Sequence, residues 1–123
     1  MKSANVLLVE DNYINQRVAG AFLKKWGYSV TIANDGKEAL MLITSKNFQV
    51  VLMDLQMPEM DGFESTNRIR SMEDPYYKNI PIIAFSASSS INSKAVAQSY
   101  GMTDFINKPL MVEEFQLKID EYL

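Results

Sequence analysis

Two short apolar runs constrain the fold of this chain more than anything else in it: Asn5–Val9 (NVLLV) and residues 50–53 (VVLM). A strand with water on one face alternates apolar and polar side chains. An unbroken apolar run of this length reads instead as a strand covered on both faces, the situation of a parallel sheet flanked by helices. Each run then breaks on acid, Glu10 and Asp11 after the first and Asp54 after the second.

The segments around these runs keep the same rhythm. Ile14, Val18, Ala21, Phe22 and Trp26 recur at helical spacing, which predicts a helix with these residues on its inward face and Gly27 closing it. Residues 28–33 (YSVTIA) alternate and are rich in β-branched side chains, a half-covered strand near a sheet edge. Asn34, Asp35 and Gly36 offer turn and capping groups before a second helix carrying Ala39, Leu40 and Ile43. Residues 63–72 suit an exposed helix with Phe63 and Ile69 inward. Residues 82–85 follow Pro81 as a fourth strand, and Ala95, Val96 and Ala97 lie in a Ser-rich helix of weak propensity. Residues 103–107 make the last strand, and Phe115, Ile119 and Leu123 share one face of a closing helix.

Five strand–helix units with short connections give an α/β fold: one parallel sheet with helices on both faces and right-handed crossovers. No linker, repeat or low-complexity tract divides the 123 residues, so a single domain over residues 1–123 is expected. At that length folding buries roughly two thirds of the unfolded chain's surface, enough for a core.

Composition narrows the chemistry. The formal charge of −3 gives no basic footprint for nucleic acid. The chain has no Cys and no His, which removes disulfides, Cys/His zinc sites and Ser/His or Cys/His catalysis. Any metal must therefore be held by oxygens, which favours a hard ion such as Mg²⁺. The N-terminal MKSANVLLVED is neither a signal peptide nor a membrane span, so no membrane insertion and a cytoplasmic location are expected.

In a sheet of this kind ligands bind outside the carboxyl ends of the strands. The first strand delivers Glu10 and Asp11 to that rim, the third Asp54, the fourth Ser86, and the fifth Lys108 followed by Pro109. Three converging carboxylates repel one another unless protons or a cation compensate. Mg²⁺ is the natural compensator, with Asp11 and Asp54 as direct ligands, the backbone carbonyl of Gln56 as a third, and Glu10 acting through water. Lys108 can pair with Asp54 when the site is empty and with a phosphoryl group when it is not, and Ser86 offers a hydroxyl to the same oxygens. Metal, ammonium and hydroxyl around a carboxylate nucleophile are the parts that phosphoryl transfer requires.

Each residue also has an ordinary reading. An acid at a strand end is commonly a solvated loop residue or a helix cap. Ser86 alone reads as a turn residue, Glu59 and Asp61 as solvated loop charges, Met53, Met57 and Met60 as packing, and Phe105 as core. The convergence of Glu10, Asp11, Asp54, Ser86 and Lys108 on one rim is what outweighs those readings.

Four segments resemble, in order, the signatures of two-component response-regulator receiver domains: LLVEDN (7–12), VLMDLQMPEMDG (51–62), PIIAFSA (81–87) and DFINKP (104–109). EDNYINQ (10–16) is most similar to receivers fused to hybrid histidine kinases. The resemblance implies a flavodoxin-like (βα)5 three-layer sandwich with strand order 2-1-3-4-5. It also implies a phosphoacceptor that takes its phosphoryl group from a histidine kinase or a histidine phosphotransfer protein. By position, Asp54 resembles the acceptor, Glu10 and Asp11 the metal-binding acids, Ser86 the switch hydroxyl, Phe105 the switch aromatic and Lys108 the phosphate-binding lysine. Pro109 matches a proline preceded by a cis peptide. Gln56 and Ser88 match positions that influence phosphate lifetime.

The expected mechanism is a population shift: phosphorylated Asp54 engages Ser86 and Lys108, Phe105 fills the vacated space, and the surface of the fourth helix, fifth strand and fifth helix changes. The Ser-rich run 86–93 suits a mobile element. A turnover enzyme is not expected. A haloacid-dehalogenase-like phosphatase would want a second acid where Gln56 stands, and a flavin carrier would not tolerate Glu10 and Asp11 in its phosphate loop. A receiver-shaped module that is never phosphorylated is the remaining rival. The chain is expected to be either a free-standing receiver or a domain of a longer protein, acting as a homodimer on phosphorylation or as a monomeric relay.

Overall fold

The unbroken apolar runs become inner strands. In a computed structural model that describes residues 4–57, 59–86 and 91–123, β1 (Asn5–Val9), β2 (Ser29–Ala33), β3 (Val50–Asp54), β4 (Ile82–Ser86) and β5 (Asp104–Asn107) form one sheet, all parallel, in the order β2-β1-β3-β4-β5. This is the order that the resemblance implies. Every residue of β3 and β4 is buried, whereas β2 at the edge is half covered, as its alternation predicts. The connections are α1 (Tyr13–Lys25), α2 (Gly36–Ser45), α3 (Gly62–Arg70), α4 (Pro75–Asn79), α5 (Lys94–Ser99) and α6 (Val112–Tyr122).

Strand pleating sends alternate residues to opposite faces, so two cores form. Val6 and Leu8 of β1 join Ala19 and Leu23 of α1 and Phe115 and Ile119 of α6. Leu7 and Val9 join Ala39 and Ile43 of α2, Ile69 of α3 and Ala97 of α5. Met53, Met57 and Met60 are all buried, as the packing reading has it.

Two expectations need correction. The inward face of α1 is not Ile14, Val18 and Ala21: Ile14 is 70% and Val18 42% exposed, and Ala21 is exposed as well. The buried stripe is Gln16, Ala19, Gly20 and Leu23. Ala19 and Leu23 pack into the core on this side of the sheet, and the polar member, Gln16, hides the periodicity from a hydrophobic count. Phe22 and Trp26 are half buried and stack on each other with centroids 5.8 Å apart.

The second correction is an additional helix. Five helices are expected, and six are present among the described residues, because α4 occupies the connection between α3 and β4. Its signals are local: Asp74 Oδ1 accepts from the Tyr76 N–H at 2.8 Å and Pro75 takes the first helical turn. The expected fourth and fifth helices are therefore α5 and α6.

Arg70 clips this connection to the sheet. Its Nε donates to the Gly101 carbonyl at 2.8 Å, and its Nη1 donates to the carbonyls of Tyr77 at 3.0 Å and Ile80 at 2.7 Å. Charge-assisted bonds of this kind hold strongly, and their removal leaves partly buried carbonyls without donors. Arg70→Ala is expected to cost about 2 kcal/mol, read as a lower urea midpoint at unchanged slope. An unchanged midpoint would show that water replaces the clip at no cost.

Candidate functional site

The carboxyl ends of β1, β3 and β5 meet at one point. Lys108 Nζ lies 2.8 Å from Glu10 Oε1 and 3.4 Å from Asp54 Oδ1, and 5.0 Å from the centre of the Phe85 ring. The lysine is thus placed closer to Glu10 than to Asp54, its expected partner. Glu10 and Asp54 are buried, while Asp11 is exposed at the mouth. One carboxylate oxygen from each of Glu10, Asp11 and Asp54 lies within 4.8 Å of the others, and among the described residues this is the group of acids able to share a cation.

Local structure explains the convergence. The β1 strand ends at Val9, and Asn12 starts α1 by accepting the Asn15 N–H at 3.0 Å, so the two acids occupy the tight turn between them. The Asn12 N–H donates to Glu10 Oε2 at 3.1 Å and aims that carboxylate inward. Asp54 closes β3, and its Oδ1 accepts the Gln56 N–H at 3.1 Å. Gly62 packs directly over the Asp54 carbonyl, and Asp61 caps α3 by accepting the Glu64 N–H at 2.9 Å, so Asp61 is a cap rather than a free loop charge. Glu59 stands at φ 65° and lies 3.8 Å from Lys37, both side chains well exposed.

Two buried acids beside one lysine cannot both stay ionised at low cost. Burial, reinforced by the Glu10 carboxylate, pushes Asp54 up to about 7 against the opposing pull of the Gln56 N–H and Lys108. Burial also opposes ionisation of Glu10, but the neighbouring Asp54 carboxyl and Lys108 ammonium, with the Asn12 N–H bond, hold it below the usual carboxylate range. Asp54 is therefore the acid of the pair that resists ionisation, and Glu10 the one that favours it. Glu10 Oε1 has the Lys108 ammonium beside it yet no aligned hydrogen bond. An oxygen with a free lone pair, a second buried carboxyl and an exposed third make a hard, anionic donor set that suits Mg²⁺.

Ser86 is buried at the end of β4, and its carbonyl accepts the Lys108 N–H at 2.9 Å, tying β4 to the lysine's backbone. The Lys108–Pro109 peptide is cis, as the resemblance implies. Phe105 is half buried against the core on the α5 side, with Lys118 Nζ 5.5 Å from its ring centre. Gln56 is exposed beside Asp54. Pro58, Ser88 and most of the Ser-rich run lie outside the described residues.

Asp104 stands out in the structure although no single motif marks its role. It is 1% exposed, and its carboxylate accepts from Tyr122 OH at 2.7 Å, from Lys118 Nζ at 3.1 Å and from the Phe105 N–H at 2.8 Å, with Lys94 Nζ at 3.9 Å. Burial opposes its ionisation, but these donors keep its carboxyl below the ordinary range, while burial and that same carboxylate push Tyr122 up. One buried charge thus joins α5, β5 and α6, beside Phe105.

The parallel order, the acid rim and the lysine define a class: a doubly wound parallel α/β domain with an acid cluster and a lysine at the carboxyl edge of its sheet. The response regulator receiver domain family matches residues 6–120, and this chain belongs to it. Over 127 aligned residues it is 35% identical to hybrid signal transduction histidine kinase B of Dictyostelium discoideum, covering 96% of this chain and 6% of that protein. This chain spans 6%, 15% and 27% of the length of three curated relatives it matches. Among solved structures it resembles the receiver domain of the Pseudomonas aeruginosa sensor histidine kinase PA1611, with magnesium coordinated in its active site cleft. The TM-score is 0.86 at 33% identity, over 98% of each chain. It also resembles the receiver domain of a Saccharomyces cerevisiae response regulator in complex with a histidine phosphotransfer protein, with a TM-score of 0.83 at 32% identity over 98% of this chain and 88% of that one.

Proposed function

We propose that this chain is a single receiver unit of a two-component phosphorelay that accepts a phosphoryl group from a phosphohistidine onto Asp54. The observation that carries this reading is the one pocket in which Asp54, Glu10, Asp11 and Lys108 meet at the carboxyl edge of a 2-1-3-4-5 sheet. Asp11, Asp54 and the Gln56 carbonyl would hold Mg²⁺ directly and Glu10 through water, a reading supported by the acid cluster here and the magnesium in the related cleft. When bound, the cation neutralises the crowded acids and the oxygens of the incoming group.

Asp54 reacts as its carboxylate, its proton released to solvent; one of its oxygens attacks phosphorus, the phosphorus–nitrogen bond to the donor imidazole breaks, and the electron pair stays on that nitrogen. Lys108 moves its charge from the acids to the phosphoryl oxygens, and the Ser86 hydroxyl donates to one of them. The step is stoichiometric, so the domain signals rather than turns over substrate. Phe105 then takes its switched position, and the face formed by α5, β5 and α6 carries the output, including a homodimer formed on phosphorylation. The Asp104 contacts, which join these three elements, support that assignment.

The donor would be a histidine kinase or phosphotransfer protein. Asp54 is buried, so the donor must seat close to the pocket mouth, where Tyr13, Ile14, Val18 and Met111 expose apolar surface. A crevice of about 240 Å³ lies between Val18, Phe85 and Leu110. Among the described residues no helix is long and apolar enough to cross a membrane; the proposed location is cytoplasmic. The formal charge of −3 supports the absence of direct nucleic-acid contact.

The test is incubation with acetyl phosphate and Mg²⁺ followed by intact mass. A gain of one phosphoryl group, lost on chelation and in Asp54→Asn, is the expected result. Persistent absence of modification, from acetyl phosphate and from phosphohistidine donors alike, would overturn the reading.

A further inference from the structure

We propose that Gln16 is a positioning residue for cation binding: its side-chain amide locks the turn that carries Glu10 and Asp11. This rests on the receiver reading above and adds to it a residue outside the set of acids, lysine and hydroxyl. Gln16 lies in the buried stripe of α1 among Ala19, Gly20 and Leu23, where an apolar side chain would be the ordinary choice. A buried amide costs free energy unless its hydrogens are used. Here they are: Nε2 donates to the Glu10 carbonyl at 2.6 Å and to Asn34 Oδ1 at 2.8 Å.

The need for this donor follows from the sheet. The ladder between β1 and its neighbours ends at Val9, paired with Ala33 on one side and Met53 on the other. The Glu10 N–H still reaches the Ala33 carbonyl at 3.0 Å, but the Glu10 carbonyl lies beyond the last strand pair and has no ladder partner. A buried carbonyl must be satisfied by something. Gln16, about one turn into α1, reaches back to supply the missing donor. That carbonyl belongs to the peptide joining Glu10 to Asp11, so fixing its plane fixes the starting direction of the exposed Asp11 side chain.

The Glu10 side chain has its own restraint in the Asn12 N–H, whereas among the described residues the Asp11 side chain makes no hydrogen bond or ion pair. The other end of the relay is anchored too: Asn34 donates from both its N–H and Nδ2 to Glu38 Oε1 at 3.1 Å, which ties the acid turn to the start of α2. The acids of EDNYINQ and its final Gln therefore form one structural unit.

Removing partners of this kind from metal ligands ordinarily weakens metal affinity by about 10- to 100-fold. Titration calorimetry with Mg²⁺ on the whole chain tests this with no phosphoryl donor present. Gln16→Met keeps the length of the side chain and removes the donor, and its dissociation constant is expected to rise about 10-fold or more. Leu23→Ala, on the same buried stripe but away from the acid turn, lowers the melting temperature and should leave Mg²⁺ affinity within about twofold.

A second readout separates positioning from general damage. The rate of phosphorylation of Gln16→Met by acetyl phosphate should fall at low Mg²⁺ and recover as Mg²⁺ is raised to saturation. Should Gln16→Met not fold by circular dichroism, Asn34→Ala, an exposed change that removes one of the amide's two acceptors, is expected to weaken Mg²⁺ about threefold, a smaller loss than deletion of the donor itself. Wild type that binds Mg²⁺ beside folded variants that bind it equally well would overturn this proposal alone. Wild type that binds no Mg²⁺ would overturn the receiver reading and this proposal with it.

Discussion

Asp54→Asn is expected to melt well above the wild type at pH 8 in the absence of divalent cations. At neutral pH and above, the wild type must ionise a buried carboxyl whose pKa stands at about 7 in the fold against an ordinary 3.8. Asn keeps the oxygen that accepts the Gln56 N–H, and Lys108 keeps Glu10 as its closer partner, so the substitution removes a charge without orphaning its neighbours.

The sign follows from linkage: a raised folded pKa favours the fold below the ordinary pKa, and that contribution is lost as pH rises towards the folded value. The two proteins should therefore differ least below about pH 4, diverge from pH 4 to 7, and hold a constant gap above. About 3 units at about 1.4 kcal/mol each sets a ceiling near 4 kcal/mol, and the lowered pKa of Glu10 offsets part of it. A gap of about 2–3 kcal/mol remains, on the order of 10 °C in melting temperature.

Saturating Mg²⁺ should shrink or reverse the order, because it stabilises the wild type by roughly 2.7 kcal/mol at 100 times its dissociation constant and has lost a ligand in the variant. Thermal melts across pH 4–8, with and without Mg²⁺, check both halves. A gap that does not change with pH would refute the raised pKa of Asp54.

The pairing of buried acids with a single lysine was legible in residue type but not in distance. Glu10, Asp11, Asp54 and Lys108 each follow an apolar strand run, and parallel topology brings strand ends together, so the set could be read from spacing alone. Which acid takes the lysine depends on side-chain reach across three strands, and no local pattern encodes that. The inner strands were legible because full burial leaves no alternation. The inward face of α1 was not, since the chain places a glutamine in that stripe and leaves Ile14 and Val18 outside beside the pocket. A helix that both packs and presents a surface breaks the rule that apolar means inward. The short helix α4 had readable signals in Asp74 and Pro75, but five residues give too little periodicity to outweigh a loop. Arg70 and Asp104 owe their roles to partners 7 to 33 positions away along the chain, which only the tertiary fold assembles.

Gly62→Ala should do more damage than its single methyl suggests. A Cβ at this position would overlap the Asp54 carbonyl oxygen and lie 2.9 Å from Leu55 Cα and 3.0 Å from the Asp54 carbonyl carbon. All three are backbone atoms, so no rotamer change can relieve the contact. The Gly62 N–H also donates to the Leu55 carbonyl at 3.2 Å, which holds the first turn of α3 against the segment that follows Asp54.

Making room requires α3 to withdraw from the end of β3, and Asp54 must tilt with its backbone. The expected cost is about 3 kcal/mol in stability from overpacking. Phosphorylation from acetyl phosphate at saturating Mg²⁺ should fall about 100-fold, because a carboxylate displaced by even 1 Å no longer meets phosphorus in line. Gly20→Ala is the matched control: its Cβ meets nothing within 4 Å and lies mid-helix in α1, so it should gain about 0.5–1 kcal/mol and phosphorylate like the wild type. Equal phosphorylation in Gly62→Ala and Gly20→Ala would mean that the loop after β3 absorbs the methyl without moving Asp54, and that Asp54 is positioned by its strand alone.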